Sequence, residues 1–248
     1  MSVKTYLHAF VMCQSMFCAI PCPGNLWDEQ ARDKMLVCLP LVGLEMGILW
    51  CALGWLTRFL SLPALLRGLV LAVYPFLVTG LIHLDGFMDV TDAVKSCRDL
   101  ARRREILKDS HVGSFAVIHV ALLLLTQFAL FASAPETAPI GVLCLIPAVS
   151  RCGSALAVTM LPAMSTSQYA GQKTNRGHVW FLWGMLGMFL LAGVCLWGKY
   201  GLVLIGVAAG YALALRKGYT SLQGMNGDIA GYALTIGELF GIGVYALL

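Results

Sequence analysis

Residues 65–98 read LLRGLVLAVYPFLVTGLIHLDGFMDVTDAVKSCR: an apolar run with no charge after Arg67 that ends in Asp85, Asp89 and Asp92. The apolar part is long enough to enter a bilayer, and the rest of the chain agrees with it. Of 248 residues, 59% are hydrophobic and 12% charged, and the mean hydropathy of +0.79 excludes an ordinary soluble domain. Stretches able to cross a membrane run from Met35 to Thr57, Ala64 to Ile82, Gly113 to Ala134, Ile140 to Leu161, Val179 to Gly198, Gly201 to Leu215 and Tyr232 to Leu248. The expected fold is an all-α, polytopic integral membrane protein, one domain over residues 1–248, with roughly six to eight transmembrane or re-entrant helices.

The first segment, Tyr6 to Ile20, carries His8 and Gln14 and stops at Pro21-Cys22-Pro23. That suits a re-entrant or interfacial helix as well as a span, and Pro-Cys-Pro-Gly is a poor cleavage site for a signal peptide. Nine cysteines are scattered without a C-x-x-C pair, so they indicate neither a zinc site nor a disulfide framework.

Threaded alternately, the spans put Arg32 and Lys34, Lys95 to Lys108, Lys173 and Arg176, and Arg216 and Lys217 on one side, against Arg58, Arg67 and Lys199 on the other. The positive-inside rule makes the first side cytoplasmic. The polar clusters fall on that side too, which points to a site open to the cytoplasm. A transporter would instead carry polar residues near the midplane of several helices, often in two related halves, and no internal repeat is found.

On a helix, Asp85, Asp89 and Asp92 stand at i, i+4 and i+7, one stripe of like charges. Carboxylates are hard ligands suited to magnesium, manganese or calcium, and magnesium takes a few carboxylates plus substrate phosphates. Gly86 allows close approach beside the first of them. A solvated helix end at the membrane surface would also hold three carboxylates, but ionisable groups at membrane depth are costly and are usually kept for function. His83 flanks the same turn, as a ligand contact or as a structural group.

The following stretch, DLARRREILKDSHVGSF, places Arg102, Arg103, Arg104 and Lys108 one loop beyond the acids, as bases for phosphate oxygens or as an anchor on anionic lipid. Ser110 is positioned to cap the next helix. Glu45, Arg151 and Glu238 are polar groups inside predicted spans, and Arg151 there calls for a carboxylate partner or a bound phosphate. In QGMNGDIAGYALTIGE, glycines 224, 227 and 231 surround Asn226 and Asp228, as a tight turn near a ligand requires. Gly171-Gln172-Lys173-Thr174 is no Walker A site, because the lysine does not follow glycine and no strand precedes it.

Together, IPCPGNLW, LPLVGLEMG, GLIHLDGFMDVTDAV, RREILKDSHVGSFAV, PAVSRCGSALAV and QGMNGDIAGYALTIGELF resemble the cobalamin synthase family, the adenosylcobinamide-GDP ribazoletransferases, over nearly the whole chain. The chain departs from that pattern where Glu45 and Arg104 stand in usually apolar positions, His111 replaces an arginine, and Thr235 replaces the first of two glutamates.

The resemblance implies a bacterial inner-membrane enzyme that joins adenosylcobinamide-GDP to alpha-ribazole, or its 5′-phosphate, releasing GMP with magnesium. On that footing Asp85, Asp89, Asp92 and Asp228 are the expected metal ligands. Asp109 or one of the acidic stripe is the expected base, and His83, Arg102, Arg103, Lys108, Ser110, Arg151, Asn226 and Glu238 are expected around the substrates. Expected partners are the two substrates and the lipid bilayer, with a homo-oligomer or a complex with other corrinoid-assembly enzymes open and no nucleic acid. A CDP-alcohol phosphotransferase would share the metal logic, but its D-x-x-D-G-x-x-A-R pattern is absent; an ion-coupled transporter is the other alternative.

Overall fold

In a bilayer each backbone N–H and C=O must find its partner within the protein, which leaves helices as the economical way across. The computed structural model describes residues 3–22, 27–167 and 175–248; Pro23 and the Gly171–Thr174 stretch lie outside them. Among the described residues there is no strand, only one isolated bridge between Ala163 and Met225.

Ten α-helices follow in order among the described residues: α1 Val3–Phe17, α2 Met35–Phe59, α3 Ala64–Val78, α4 Ile82–Lys95, α5 Leu100–Ile106, α6 Ser114–Ser133, α7 Ile146–Met160, α8 Arg176–Trp197, α9 Leu202–Leu222 and α10 Gly227–Leu247. Five helical stretches are long and apolar enough to cross a membrane, six if the bent pair α3–α4 counts as one. One of the five, Arg176–Leu222, turns back at Gly198: a methyl on Gly201 would meet Val194, and one on Gly193 would meet Leu204. Each of the seven sequence-predicted spans coincides with a helix, but α3 ends at Val78 and its bent pairing with α4 is a broken span or a re-entrant loop.

Helix α7 is central. Its buried face runs from Ile146 to Ala157, and α2 closes on it through a Gly-x-x-x-Gly pair, where methyls at Gly43 and Gly47 would strike the Pro147 and Cys144 carbonyls. Small residues let backbones approach when lipid offers no hydrophobic drive between helices. Lipid-facing side chains cluster on α6 and α8, including Leu125, Trp180 and Leu191.

A proline explains one interhelical hydrogen bond, and a second lies beside it. Pro75 has no N–H for the Leu71 carbonyl one turn earlier, and Trp50 Nε1 of α2 donates to that oxygen at 3.0 Å. Gln127 Nε2 of α6 donates to the neighbouring Ala72 carbonyl at 2.8 Å. Helix α3 then ends with Gly80 at φ +59° and Leu81 N bonded to the Phe76 carbonyl at 2.9 Å, a glycine-terminated cap. The chain turns by 88° into α4. The left-handed residues Gly80 and Leu81 thus set the acidic helix apart from the apolar one.

Helix α1, at 15 residues, is about 22 Å long at 1.5 Å per residue, shorter than a bilayer core. It runs parallel to α2, with Cys38 Sγ at the Tyr6 carbonyl and Gln14 Nε2 donating to Glu45 at 3.0 Å. Beyond its tip Ala19 N donates to the Val78 carbonyl at 2.8 Å, and the chain returns so that Asp28 meets His8 at 3.0 Å.

The two ends of the bundle differ. At the end bearing the Ser61–Pro63 and Ala134–Pro139 turns, charges serve the fold: Arg67 pairs with Glu136, Arg58 donates to the Ala138 carbonyl at 2.7 Å, and Lys199 to the Leu248 carbonyl at 2.6 Å. The opposite end collects the acidic stripe, α5, and the start of α10.

Candidate active site

Helices α4 and α10 meet through glycine on both sides. A methyl on Gly86 would sit 3.0 Å from the Asp228 Cα and carbonyl oxygen, and one on Gly231 would sit 3.2 Å from the His83 Cα. Phe87 stacks on Tyr232 at 5.8 Å, and the Thr235 hydroxyl donates to the His83 carbonyl at 3.3 Å. This packing brings Asp228 against the turn that carries Asp85 and Asp89, so the three carboxylates feel one another's charge.

Asp228 is held from its own side. Asn226 caps α10 by accepting from Ile229 N at 3.0 Å and donates to Asp228 Oδ2 at 2.6 Å. The turn before it is fastened by Met225 N to the Pro162 carbonyl and Met164 N to the Met225 carbonyl, both 2.9 Å. Asn226, expected at a substrate, therefore orients the third carboxylate.

Asp92 leaves the group. It is buried, and its two oxygens accept from Gly113 N at 2.6 Å and Ala116 N at 2.9 Å. These are orphan amides at the start of α6, whose positive end favours a carboxylate. The sequence placed Asp92 in the metal set and Ser110 as the cap; the structure gives the cap to Asp92 and leaves Ser110 exposed. A partner 21 residues away has no local sequence signature, although Gly113, where a methyl would lie 2.5 Å from Asp92, marks the spot.

Asp85 is exposed, and Asp89 and Asp228 half-buried. Among the described residues no three His, Cys, Asp or Glu side chains are gathered as a ready metal cage. Magnesium needs no such cage, since one or two carboxylates, water and substrate phosphates commonly complete its shell. The oxygen donors Asp85, Asp89 and Asp228, repelling one another at a half-open surface, fit that pattern.

The basic residues separate by task. Arg103 donates to the Ser221 carbonyl at 3.3 Å, and Arg104 to those of Leu222 at 3.0 Å and Gln223 at 2.7 Å. They fasten α5 to the negative C-terminal end of α9. Arg103 and Arg104, read from sequence as bases for phosphate oxygens or a lipid anchor, are thereby both placed in the fold. Arg102 is exposed and pairs with Glu105 at 2.7 Å; Lys108 is exposed. Asp109 accepts from the His111 backbone N at 3.0 Å and ring Nδ1 at 2.7 Å, bonds that hold its carboxyl below the usual carboxylate range and weaken it as a base.

Arg151 and Glu238 lie deeper. Arg151 is 2% and Glu238 5% exposed; Glu238 Oε1 accepts from Arg151 at 3.0 Å and from the Ser150 hydroxyl at 2.7 Å. Of the two partners foreseen for Arg151, carboxylate or phosphate, the structure supplies the carboxylate. Both residues, expected near substrate, here tie α7 to α10.

The family model for cobalamin-5-phosphate synthase matches residues 9–246. The chain belongs to the cobalamin-5-phosphate synthase family. Among its relatives, the adenosylcobinamide-GDP ribazoletransferase of Clostridium botulinum (strain Alaska E43 / Type E3) is 33% identical over 97% of each chain. The enzyme of that name from Clostridium perfringens (strain SM101 / Type A) is 35% identical over 97% of this chain and 98% of its own, and that from Desulfitobacterium hafniense (strain Y51) 36% identical over 92% of both. No solved structure matches the chain. The resemblance carried by the HLDGFMDVTD and EILKDS stretches is borne out, and with it the membership of an enzyme family.

Proposed function

We propose that the protein transfers the adenosylcobinamide phosphate moiety from adenosylcobinamide-GDP to alpha-ribazole, or its 5′-phosphate, and releases GMP. The observation that carries this reading beyond the family is the seating of Asp228 against Gly86, which adds a carboxylate from the start of α10 to Asp85 and Asp89. Such a group at the membrane surface suits a divalent cation and a pyrophosphate, the requirements of phosphoryl transfer.

Asp85, Asp89 and Asp228 would hold magnesium, which when bound offsets negative charge on the phosphates. The α4–α10 contact fixes the relative position of the carboxylates. Exposed Lys108 and Arg102 offer cations to phosphate oxygens, Arg102 by exchanging Glu105 for substrate. A free ribose hydroxyl oxygen of the acceptor bonds to the cobinamide-side phosphorus, the bond to the GMP oxygen breaks, and the hydroxyl proton passes to a carboxylate. The His111 bonds of Asp109 favour its ionised form and so weaken it for this task. No covalent intermediate is needed.

The location proposed is the bacterial inner membrane, with the carboxylate end facing the cytoplasm. It rests on the excess of Lys and Arg at that end. The test is purified protein in liposomes with adenosylcobinamide-GDP, alpha-ribazole and magnesium, read by chromatography for cobalamin and GMP, with and without a chelator. Formation of neither product would sink the reading, and formation undiminished by the chelator would sink the magnesium part.

A further inference from the structure

Beside the carboxylates lies a cavity of about 130 Å³ among the tip of α1, the first turns of α2, α4 and α10, and the latter half of α7. Phe17, Leu36, Leu39, Val158 and Leu234 give it apolar walls, while His83, Ser154 and Asp228 supply its polar side chains. The His83 ring lies nearly parallel to Phe17, with centroids 6.2 Å apart and planes 16° apart. Its Nε2 is buried without a hydrogen-bond partner. A buried polar atom left unpaired is unfavourable in a folded protein, and at a cavity wall a ligand can supply the missing partner.

We propose that this cavity seats the planar, weakly polar heteroaromatic base of the acceptor nucleoside, with His83 Nε2 as its hydrogen-bonding contact. The assignment rests on the transferase reading above and adds to it which substrate part goes where.

Size and polarity select the occupant. An apolar protein cavity of about 150 Å³ takes up benzene, so this one, continuing to the Asp228 surface, suits a small ring system and excludes a corrin. Guanine carries donors and acceptors on several edges, too many for His83, Ser154 and an Asp228 already bonded to Asn226. A benzimidazole joined to ribose has one unsubstituted ring nitrogen, an acceptor, and otherwise apolar edges. His83 with its proton on Nε2 donates to that nitrogen, and the apolar walls cover the rest. Gly227 also lines the cavity and has open space where a side chain would stand. The ribose thus leaves past Gly227 and Asp228, which brings its free hydroxyls to the carboxylates.

The experiment uses the full chain in lipid nanodiscs and equilibrium binding of two probes, alpha-ribazole and GMP, together with transfer kinetics. Leu39→Trp fills the cavity, Val158→Phe fills it less drastically should the first not fold, and His83→Phe keeps a ring but removes the donor. Thermal unfolding establishes that each variant is folded. The expected result is that the folded filling variant and His83→Phe each weaken alpha-ribazole binding, and raise its KM, by about tenfold or more. GMP binding and the KM for adenosylcobinamide-GDP stay unchanged. Unaltered alpha-ribazole binding in a folded filling variant overturns the assignment, as does a loss of GMP binding instead. A wild type that transfers normally while the filling variant keeps its KM sinks only the cavity assignment, whereas a wild type that transfers nothing removes the transferase reading and the assignment together.

Discussion

Exchanging the Arg151–Glu238 pair for apolar side chains separates a structural role from a catalytic one. Arg151→Met leaves Glu238 buried with its charge uncompensated; removing one member of a buried pair typically costs about 3–5 kcal/mol. The Ser150 hydroxyl still donates to Glu238 Oε1 at 2.7 Å, so the lower part of the range applies, about 3 kcal/mol or two decades in the folding equilibrium. Adding Glu238→Leu removes the orphaned charge, and apolar replacement of a whole buried pair is often neutral. The double variant is therefore expected to recover most of the loss.

The assay is thermal unfolding in detergent for the wild type, both single variants and the double, with ribazole transfer normalised to folded protein. Single variants should melt well below the wild type, and the double within a few degrees of it with transfer largely kept. A double variant that folds like the wild type yet transfers a hundredfold more slowly would refute the structural assignment and return Arg151 to the phosphates.

Asp92→Asn sets an amide N–H₂ against one of two donors at the start of α6 and removes a charge from the helix's positive end. It should cost about 1–3 kcal/mol in stability, seen as a lower melting temperature, while folded protein keeps its turnover; a fall in turnover at unchanged stability would restore Asp92 to the metal set. Asp85→Asn and Asp89→Asn should have the opposite signature, with transfer at ordinary magnesium reduced at least about a hundredfold and stability equal or higher, because like-charge repulsion is relieved. Normal transfer in both would remove the α4 carboxylates from the site. For Asp109 the lowered pKa sets the sign: its His111 contact is fully present above the usual carboxylate pKa and lost only as pH falls through the lower folded value. The acid limb of the transfer rate in Asp109→Asn should therefore coincide with that of the wild type, and a limb displaced by a unit would make Asp109 the base.

The membrane fold was legible because apolar length is written locally: stretches such as Met35 to Thr57 and Ile140 to Leu161 need no knowledge of neighbours. The i, i+4 relation of Asp85 and Asp89 was legible for the same reason, as was the glycine-rich approach to Asp228. Partner choice was not. Asp92 stands one helical turn beyond Asp89 on the same stripe, and only the chain returning at Gly113 makes it a cap. Arg103 and Arg104 look like phosphate ligands in a row of arginines until the end of α9, some 118 residues later, arrives beneath them. The 88° break at Gly80 and Leu81 depends on two residues with positive φ, one of them a leucine, which composition does not announce.

The bond from Trp50 to the Leu71 carbonyl bears on how the protein is assembled. Pro75 gives α3 a carbonyl that its own backbone cannot satisfy, and lipid contains nothing that can. Helix α3 alone in the bilayer is thus an incomplete structure, made whole by an indole that precedes it in the chain by 21 residues. Because α2 precedes α3 in the chain, the partner for that carbonyl is made before the carbonyl itself. Replacing Trp50 with phenylalanine would keep the apolar bulk but leave the Leu71 carbonyl without its partner, while the Tyr74 hydroxyl still joins α3 to the Met46 carbonyl at 2.7 Å.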